Sequence, residues 1–586
     1  MCGIFGYVGK RNQAAQLIIE ALKRLEYRGY DSWGIAVKNK GRLVVDKHAG
    51  KIGSAVTILP KSNFGLGHTR WATHGGVTDK NAHPHLDCNG RIAVVHNGII
   101  ENYQELKQKL AKSHRYVSET DTELFAHLVE EYKRRYPFVE AVRHAFLDLR
   151  GLSAFVIADE EESTLVAVKT GSPLVVGVGN DENAIGSDAY SVFPISRNVC
   201  FLEDGKMVSI RKDGAELFDV KSGKKIPLKT KIIDWKEIIP TRGNFPHFML
   251  KEVHEQPRVL RNILINFDER IEYFVREIRK AKKVYFVGCG SAHHGAMIGS
   301  YLFAKIPGIE VIPVPGSEFA WKEKLIDKDS LTVFLSQSGE TIDVVEPLKI
   351  LKEEKLKTAA LVNVFGSTLY RLADQKIWLE AGQEICVLTT KAFTAKLAIF
   401  LLSSYGAQGN LDKGKKLLTL AIKECARLLT KQYYRKIERL IDKLYYKEHI
   451  YVIGRGVSFP VGLEAALKIK EVSYIHTEGF AAGELKHGVI ALIEKGSPCI
   501  VFAPKDETYD AMISSAMEVK ARGGYIVGVS HKNNEVFDYF LDVADCGEAT
   551  VIPNSVIGQL LGYCAGVKRG LDPDKPRNLA KSVTVK

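Results

Sequence analysis

The second residue of the chain is a cysteine, so removal of Met1 leaves a thiol and a free α-amine on one residue. An α-amino group with a pKa of about 7.7–8.0 accepts a proton near neutral pH, which puts a nucleophile and its base together. Far along the chain, residues 335–341 read LSQSGET between a strand and a helix, where backbone N–H groups and the helix dipole favour an anion. Hydroxyls stand there in place of a P-loop lysine. Because GxxxxGK[ST] is absent, the loop suits a sugar phosphate better than a nucleotide to be hydrolysed. Glu464, Lys468 and Glu471 follow at spacings of four and three and share one helix face. A salt-bridge ladder is the plain reading of that face. His74, His85 and His96 do not form a closed ligand set, so no metal is expected among them.

These residues need elements to hold them. At about 100–200 residues per domain, 586 residues allow three to five domains. With 45% hydrophobic and 26% charged residues, the composition is that of a globular protein and excludes disorder as the main state. The apolar run at 397–402 follows Lys391 and Lys396 and meets Ser403 and Ser404, so no membrane span is expected. A start of MCGIFGYVGKRN does not indicate export, and nine cysteines without a CxxC pair suit a reducing compartment. A cytoplasmic location is therefore expected. The net charge of +13 is spread along the chain without a basic run, and no nucleic-acid partner is expected. β-like runs at 4–8, 34–37, 92–96 and 152–158 alternate with helical patterns at 13–25 and 122–135, which predicts an α+β domain with packed sheets. A polar stretch at 229–247 with Pro240, Gly243 and Pro246 reads as a linker. Beyond it, KVYFVGCG at 283–290 is echoed 166 residues later by HIYVIGRG at 449–456, glycines in register. That echo predicts an internal duplication and two doubly wound parallel-sheet domains.

Six motifs surround Cys2 in order: CGIFGYVG at the start, LEYRGYDS from Leu25, HTRWATHG from His68, NAHPH from Asn81, HNGIIENY from His96 and SETDTE from Ser118. The set resembles the glutaminase domain of class II glutamine amidotransferases, which are N-terminal-nucleophile hydrolases. The resemblance implies a four-layer αββα domain over residues 1–235, with Cys2 as the nucleophile. Hydrolysing an amide through a thioester needs an oxyanion hole, which the Asn97 side chain and the Gly98 backbone N–H supply. Alone, Asn-Gly would read first as an ordinary hairpin turn. Arg70 offers a planar fork for the α-carboxylate of glutamine and Asp121 a countercharge for its α-ammonium. By the same resemblance Thr73 and His83 border the glutamine pocket, Arg28 organises the site near the thiol, and Trp71 acts as an ammonia gate.

GCGS at 288–291, the 335–341 loop and TTKAFT at 389–394 resemble sugar-isomerase (SIS) domains. The run LEAALKIKEVSYIHTEGFAAGELKHG from Leu463 and the tail DPDKPRNLAKSVTVK resemble the isomerase half of the amidotransferase family that aminates a sugar phosphate. The likeness covers nearly the whole chain. It implies a linker at 236–250, SIS domains at 251–425 and 426–570, and a tail loop at 571–586 that covers the sugar. Lys468 would form an imine with the open-chain ketose, kept deprotonated by desolvation. Glu471 would move a proton between C1 and C2, His487 would assist ring opening, and Lys581 would lie in the covering loop. Ser291, Ser336, Gln337, Ser338 and Thr341 would hold the phosphate and hydroxyls, with Val387 alongside. His476 would reach the neighbouring subunit's sugar site, implying a homodimer. The implied activity is hydrolysis of L-glutamine and transfer of its ammonia to D-fructose 6-phosphate, giving D-glucosamine 6-phosphate at the start of amino-sugar biosynthesis, with no cofactor. Thr389, where the family usually has serine, and the Ser291-Ala292-His293-His294 segment depart from the pattern and bear on sugar preference. A purine-pathway or asparagine-synthetase acceptor would need a diphosphoribosyl-type acidic loop or an ATP-pyrophosphatase motif, and neither is visible. A sugar-phosphate sensor would usually carry a DNA-binding helical domain.

Overall fold

The strand Ile92–Gly98 sends Ile92 and Val94 into one core and Ala93 and Val95 into another. A strand apolar on both faces has to be covered on both. A computed structural model describes residues 2–110, 113–233 and 241–584. In it this strand belongs to a seven-stranded antiparallel sheet whose inner face meets an eight-stranded antiparallel sheet through small and β-branched side chains. Helix Ala14–Leu25 covers the outer face of the eight-stranded sheet. Helices Tyr103–Leu110, Asp121–Lys133 and Phe138–Leu147 cover that of the seven-stranded one. The layers are αββα, as expected. This unit comprises Met1–Ile239 together with Ala580–Lys586.

Strands Gly3–Gly9 and Phe64–Arg70 pair antiparallel with Gly3 opposite Thr69. The pairing brings Cys2 to the end of the strand that delivers Arg70 and Trp71. Asn97 and Gly98 close the Ile92–Gly98 strand of the other sheet. Strand ends thus converge on one point.

The second unit, Pro240–Leu579, contains two five-stranded sheets, parallel throughout. Across the first the strands run Val311–Pro315, Lys283–Gly288, Ser330–Ser336, Lys357–Val362 and Gln375–Trp378. Across the second they run His476–Ala481, His449–Gly454, Pro498–Ala503, Tyr525–Ser530 and Tyr539–Asp542. Both follow the order 2-1-3-4-5, and Gly290 and Gly456 share a positive φ, 54° and 55°, so the duplication read from the sequence extends to backbone conformation. In such sheets ligands bind beyond the strand C-termini where the order reverses. That point falls between Lys283–Gly288 and Ser330–Ser336, beside GCGS and SQSGET.

The stretch read as a linker contains the short strand Lys231–Ile232, which pairs with Asn198–Phe201 in the eight-stranded sheet. Residues 234–240 lie outside the described residues, and helix Phe248–Asn266 begins inside the expected linker. The boundary expected at 425/426 falls within helix Leu411–Leu428. Helix Lys391–Gln408, which holds the 397–402 run, is buried on nearly every side and forms a core. Among the described residues no helix is long and apolar enough to cross a membrane.

Candidate active site

Cys2 Sγ accepts a hydrogen bond from the Trp71 N–H at 3.2 Å. Burial pushes the thiol pKa up, while the Trp71 N–H and Arg70 pull it down. Asn97 Nδ2 donates to the Cys2 carbonyl at 2.9 Å and to Ser187 Oγ at 3.3 Å. The orientation of that amide is set from behind, where His68 Nε2 lies 3.2 Å from Asn97 Oδ1 and 3.0 Å from the His96 carbonyl. Two acceptors at Nε2 fix the tautomer with the proton there. Burial lowers the His68 pKa to about 3, so the ring is neutral. Gly98 has φ 148°, and a Cβ there would lie 2.3 Å from the Leu152 carbonyl oxygen, so only glycine fits.

The pocket that opens onto Cys2 is lined by Arg70, Trp71, Thr73, His83, Asn97, Gly98 and Asp121 among others. Asp121 starts helix Asp121–Lys133 and accepts from the Ile100 N–H at 2.8 Å through Oδ2. No hydrogen bond engages its Oδ1 among the described residues. Arg70 is buried, its Nη atoms donating to the carbonyls of His74, Gly75 and Gly76. His83 stacks on His68 with ring centroids 4.2 Å apart. His85 meets Thr120 Oγ1 at 2.9 Å, and His96 meets Thr122 Oγ1 at 3.0 Å and Ser153 Oγ at 3.1 Å, so separate hydroxyls hold the two rings. Arg28 does not line the pocket. It is held by Asp188 at 3.4 Å and by the Tyr27 hydroxyl, which itself donates to Asp188. Sequence reasoning missed His68, Ser187 and Thr584, which lines the pocket and lies 3.0 Å from Ser172 Oγ.

In the second unit Ser336 ends its strand, and its Oγ accepts from the Gly339 N–H at 2.9 Å and lies 3.4 Å from Thr341 Oγ1. Gly339 has φ 69° and no room for a side chain against Ser367 Oγ, 2.0 Å from an added Cβ. Thr341 precedes helix Ile342–Glu353, Ser338 Oγ accepts from the Glu340 N–H at 3.2 Å, and Gln337 Oε1 is buried without a partner among the described residues. Ser291 opens helix Ser291–Lys305 and hydrogen-bonds Glu464, which also meets His294 Nδ1 at 2.8 Å. The two copies of the duplicated fold therefore touch at Glu464. From the same helix face, Lys468 Nζ lies 2.6 Å from Glu471 Oε2 and 3.4 Å from Glu464 Oε1, fully buried.

That geometry corrects one expectation. Burial does press the Lys468 pKa down, but Glu464 and Glu471 outweigh it and hold the value above that of a free lysine. Without substrate Lys468 is an ammonium. Val387 is buried, its N–H donating to the Asp574 carbonyl at 3.1 Å, while the Asp574 carboxylate caps helix Phe248–Asn266 through the Phe248 and Met249 N–H groups. His487 sits exposed on the turn Glu484–His487, and no hydrogen bond joins it to the Lys468 cluster among the described residues. His476 is exposed at the start of its strand beside His449, at the opposite end of the sheet from the Gly454 turn. Lys581 is buried within the Ala580–Lys586 segment that groups with the first unit.

Comparison with known proteins places these sites in a class. Residues 68–192 match the glutamine amidotransferase domain, and residues 277–403 and 443–540 match the SIS domain. The chain is thus a glutamine amidotransferase domain joined to a duplicated SIS half. It is 41% identical over 623 aligned residues to the glutamine–fructose-6-phosphate aminotransferase (isomerizing) of Clostridium tetani, with all of both chains covered. The enzyme of that name from Pyrococcus horikoshii is 40% identical over 601 residues, again with full coverage. Among solved structures, the C-terminal domain of glucosamine-fructose-6-phosphate aminotransferase from Francisella tularensis is 29% identical with a TM-score of 0.52, covering 57% of this chain and 100% of that one. Tagatose-6-phosphate ketose/aldose isomerase from Escherichia coli, 13% identical with a TM-score of 0.51 over 58% of this chain and 96% of its own, shares the fold. The chain belongs to the glutamine–fructose-6-phosphate aminotransferase (isomerizing) family.

Proposed function

We infer that this chain makes D-glucosamine 6-phosphate from D-fructose 6-phosphate with nitrogen drawn from L-glutamine. The observation that carries the reading is the presence, in one chain of this family, of a thiol beside the Asn97-Gly98 donor pair and a buried lysine between two carboxylates.

With Met1 removed, the Cys2 α-amine takes the thiol proton and Sγ attacks the amide carbon of glutamine. Negative charge grows on the amide oxygen, toward which Asn97 Nδ2 and the Gly98 N–H donate. The amine then returns the proton to the departing nitrogen, ammonia leaves, and water splits the thioester to glutamate. Arg70 takes the α-carboxylate, Asp121 Oδ1 the α-ammonium, and Thr73 and His83 border the pocket. Trp71 gates the ammonia, which has to be kept from bulk water to stay unprotonated. Arg28 acts on the site through Asp188.

At the second site Lys468 has to shed a proton before Nζ can add to C2 of the open-chain ketose, and Glu471, 2.6 Å away, is the nearest acceptor. The imine forms with loss of water, ammonia displaces the lysine, and Glu471 carries a proton from C1 to C2. Ser291, Ser336, Gln337, Ser338 and Thr341 hold the phosphate and hydroxyls, with Val387 alongside, and Lys581 belongs to the covering tail. His487 assists ring opening. The chain acts as a homodimer in which His476 reaches the sugar site of the neighbouring subunit. Domain limits near 235, 250, 425 and 570 and a cytoplasmic setting complete the proposal.

The test follows glutamate and glucosamine 6-phosphate in one tube containing glutamine and fructose 6-phosphate. The two products appear in equal amounts and vanish together in Cys2→Ala. Glutamate without amino sugar in the wild type contradicts the acceptor assignment.

A further inference from the structure

Cys88, His114, His127 and Glu130 bring one sulfur, two ring nitrogens and one carboxylate oxygen within 4.8 Å of one another, and none of the four lines the glutamine pocket. Cys88 lies in the turn after strand His85–Leu86, and His114 in the segment before helix Asp121–Lys133. His127 and Glu130, three apart on that helix, share a face. Cys88 Sγ is 3.4 Å from His114 Nδ1 and 3.6 Å from His127 Nδ1, and Glu130 Oε2 is 3.1 Å and 3.4 Å from the same two nitrogens. A tetrahedron built from Zn–S of about 2.3 Å and Zn–N and Zn–O of about 2.0–2.2 Å has edges of roughly 3.3–3.6 Å. Those four edges lie in or near that range, as donors around one small cation would.

The outer nitrogens strengthen this. His114 Nε2 lies 2.7 Å from Glu131 Oε1, and His127 Nε2 lies 3.8 Å from Glu123 Oε1. Each ring thus faces a carboxylate at both nitrogens. A neutral imidazole has one N–H and satisfies only one of the two. An ion bound by both Nδ1 atoms removes the conflict. It leaves the His114 Nε2–H directed at the Glu131 carboxylate, the arrangement that orients metal-bound histidines.

We propose that these four residues form a closed structural site for a zinc-class divalent cation. Sulfur and imidazole donors select zinc or cobalt over calcium and magnesium. On binding, the Cys88 thiol releases its proton to solvent, and the charges of thiolate and carboxylate balance the ion. Cys88 is exposed and gives the ion a way in. The site ties the 87–90 turn and the 113–118 segment to the helix whose first residue, Asp121, lines the glutamine pocket. Glu123 of that helix already holds the Val117 and Ser118 N–H groups at 2.6 Å each.

The test uses full-length, untagged protein carrying Cys2→Ala, so that the nucleophile cannot ligate. The protein is loaded with cobalt(II), freed of excess by gel filtration, and read by metal content and absorption. About one equivalent per chain is expected, with a thiolate-to-cobalt charge-transfer band in the near ultraviolet and tetrahedral visible bands. Cys88→Ser, a small change at an exposed position, abolishes the charge-transfer band, and His127→Gln lowers retention at least about tenfold. Retention below about a fifth of an equivalent by the Cys2→Ala protein overturns the site. An unchanged band in Cys88→Ser overturns it as well.

Discussion

Around Cys2 the buried imidazoles are neutral, and the buried charges, Arg70 and Asp121, stand on the pocket wall. His68 and His96 are held uncharged with pKa values near 3 and 4, His83 and His85 are pushed down by burial, and the proposed oxyanion donors are an amide and a backbone N–H. On helix Ser458–Ser473, by contrast, Lys468 is buried as a charge between Glu464 and Glu471. Amide attack creates its charge only in the transition state, so fixed dipoles serve it best. Sugar isomerisation moves a proton back and forth, and for that the acid and the base have to be present from the start. One fold houses dipoles at the ends of antiparallel strands, the other charges on a helix face.

Breaking one side of this comparison should leave the other working. The largest effect is expected from Cys2→Ala, which lowers glutamate release by roughly 10⁴-fold or more, while the Lys468 site still binds fructose 6-phosphate by calorimetry. Glu471→Gln removes the proton carrier and lowers amino-sugar formation by about 10²–10⁴-fold with the fold intact, as circular dichroism will show. Asn97→Ala removes one oxyanion donor and lowers kcat for glutamate release by about 10²–10³-fold with a smaller change in KM.

Acid should separate the two units. His68 and His96 titrate near 6.5 when unfolded but near 3 and 4 in the fold, so unfolding takes up protons below about pH 6.5. The first unit therefore loses stability as pH falls from about 6.5 toward 4, each histidine contributing up to about 1.4 kcal/mol per pH unit. Lys468, raised in the fold, contributes fully below the unfolded lysine value and loses that contribution only as pH rises through its folded value. Glu464, lowered in the fold, loses its contribution only as pH falls below its ordinary 4.5 and through its folded value. Hydrogen exchange at pH 5 against pH 7 should show the first unit opening sooner and the Lys468 helix little changed. The smallest effect is expected from Thr584→Val, which removes the hydroxyl shared with Ser172 and costs about 1 kcal/mol, read as a several-fold rise in KM for glutamine.

What the sequence disclosed follows from what is local. Runs such as 92–96, apolar at successive positions, announce a strand covered on both faces, and Gly290 against Gly456 announces the duplication because a positive-φ turn demands the residue type itself. Spacing placed Glu464, Lys468 and Glu471 on one face. It did not give the protonation state, since two carboxylates within 3.4 Å outweigh burial only once their distances are known. His68 was hidden inside a motif read for Arg70, and its task, turning the Asn97 amide, depends on two strands from different sheets meeting. Thr584 lies 412 residues from its partner Ser172. Cys88, His114, His127 and Glu130 come from a turn, a loop and a helix, and beyond the His127–Glu130 pair no short spacing joins them.

On the proposed mechanism the Cys2 site and the Lys468 site perform separate halves of one reaction. Glu471→Gln, supplied with glutamine and fructose 6-phosphate and followed for both products in one tube, tests it most directly. Glutamate release within about threefold of the wild type is expected, with amino sugar lowered by about 10²-fold or more. Equal loss of both products, or amino sugar at the wild-type rate, would contradict it.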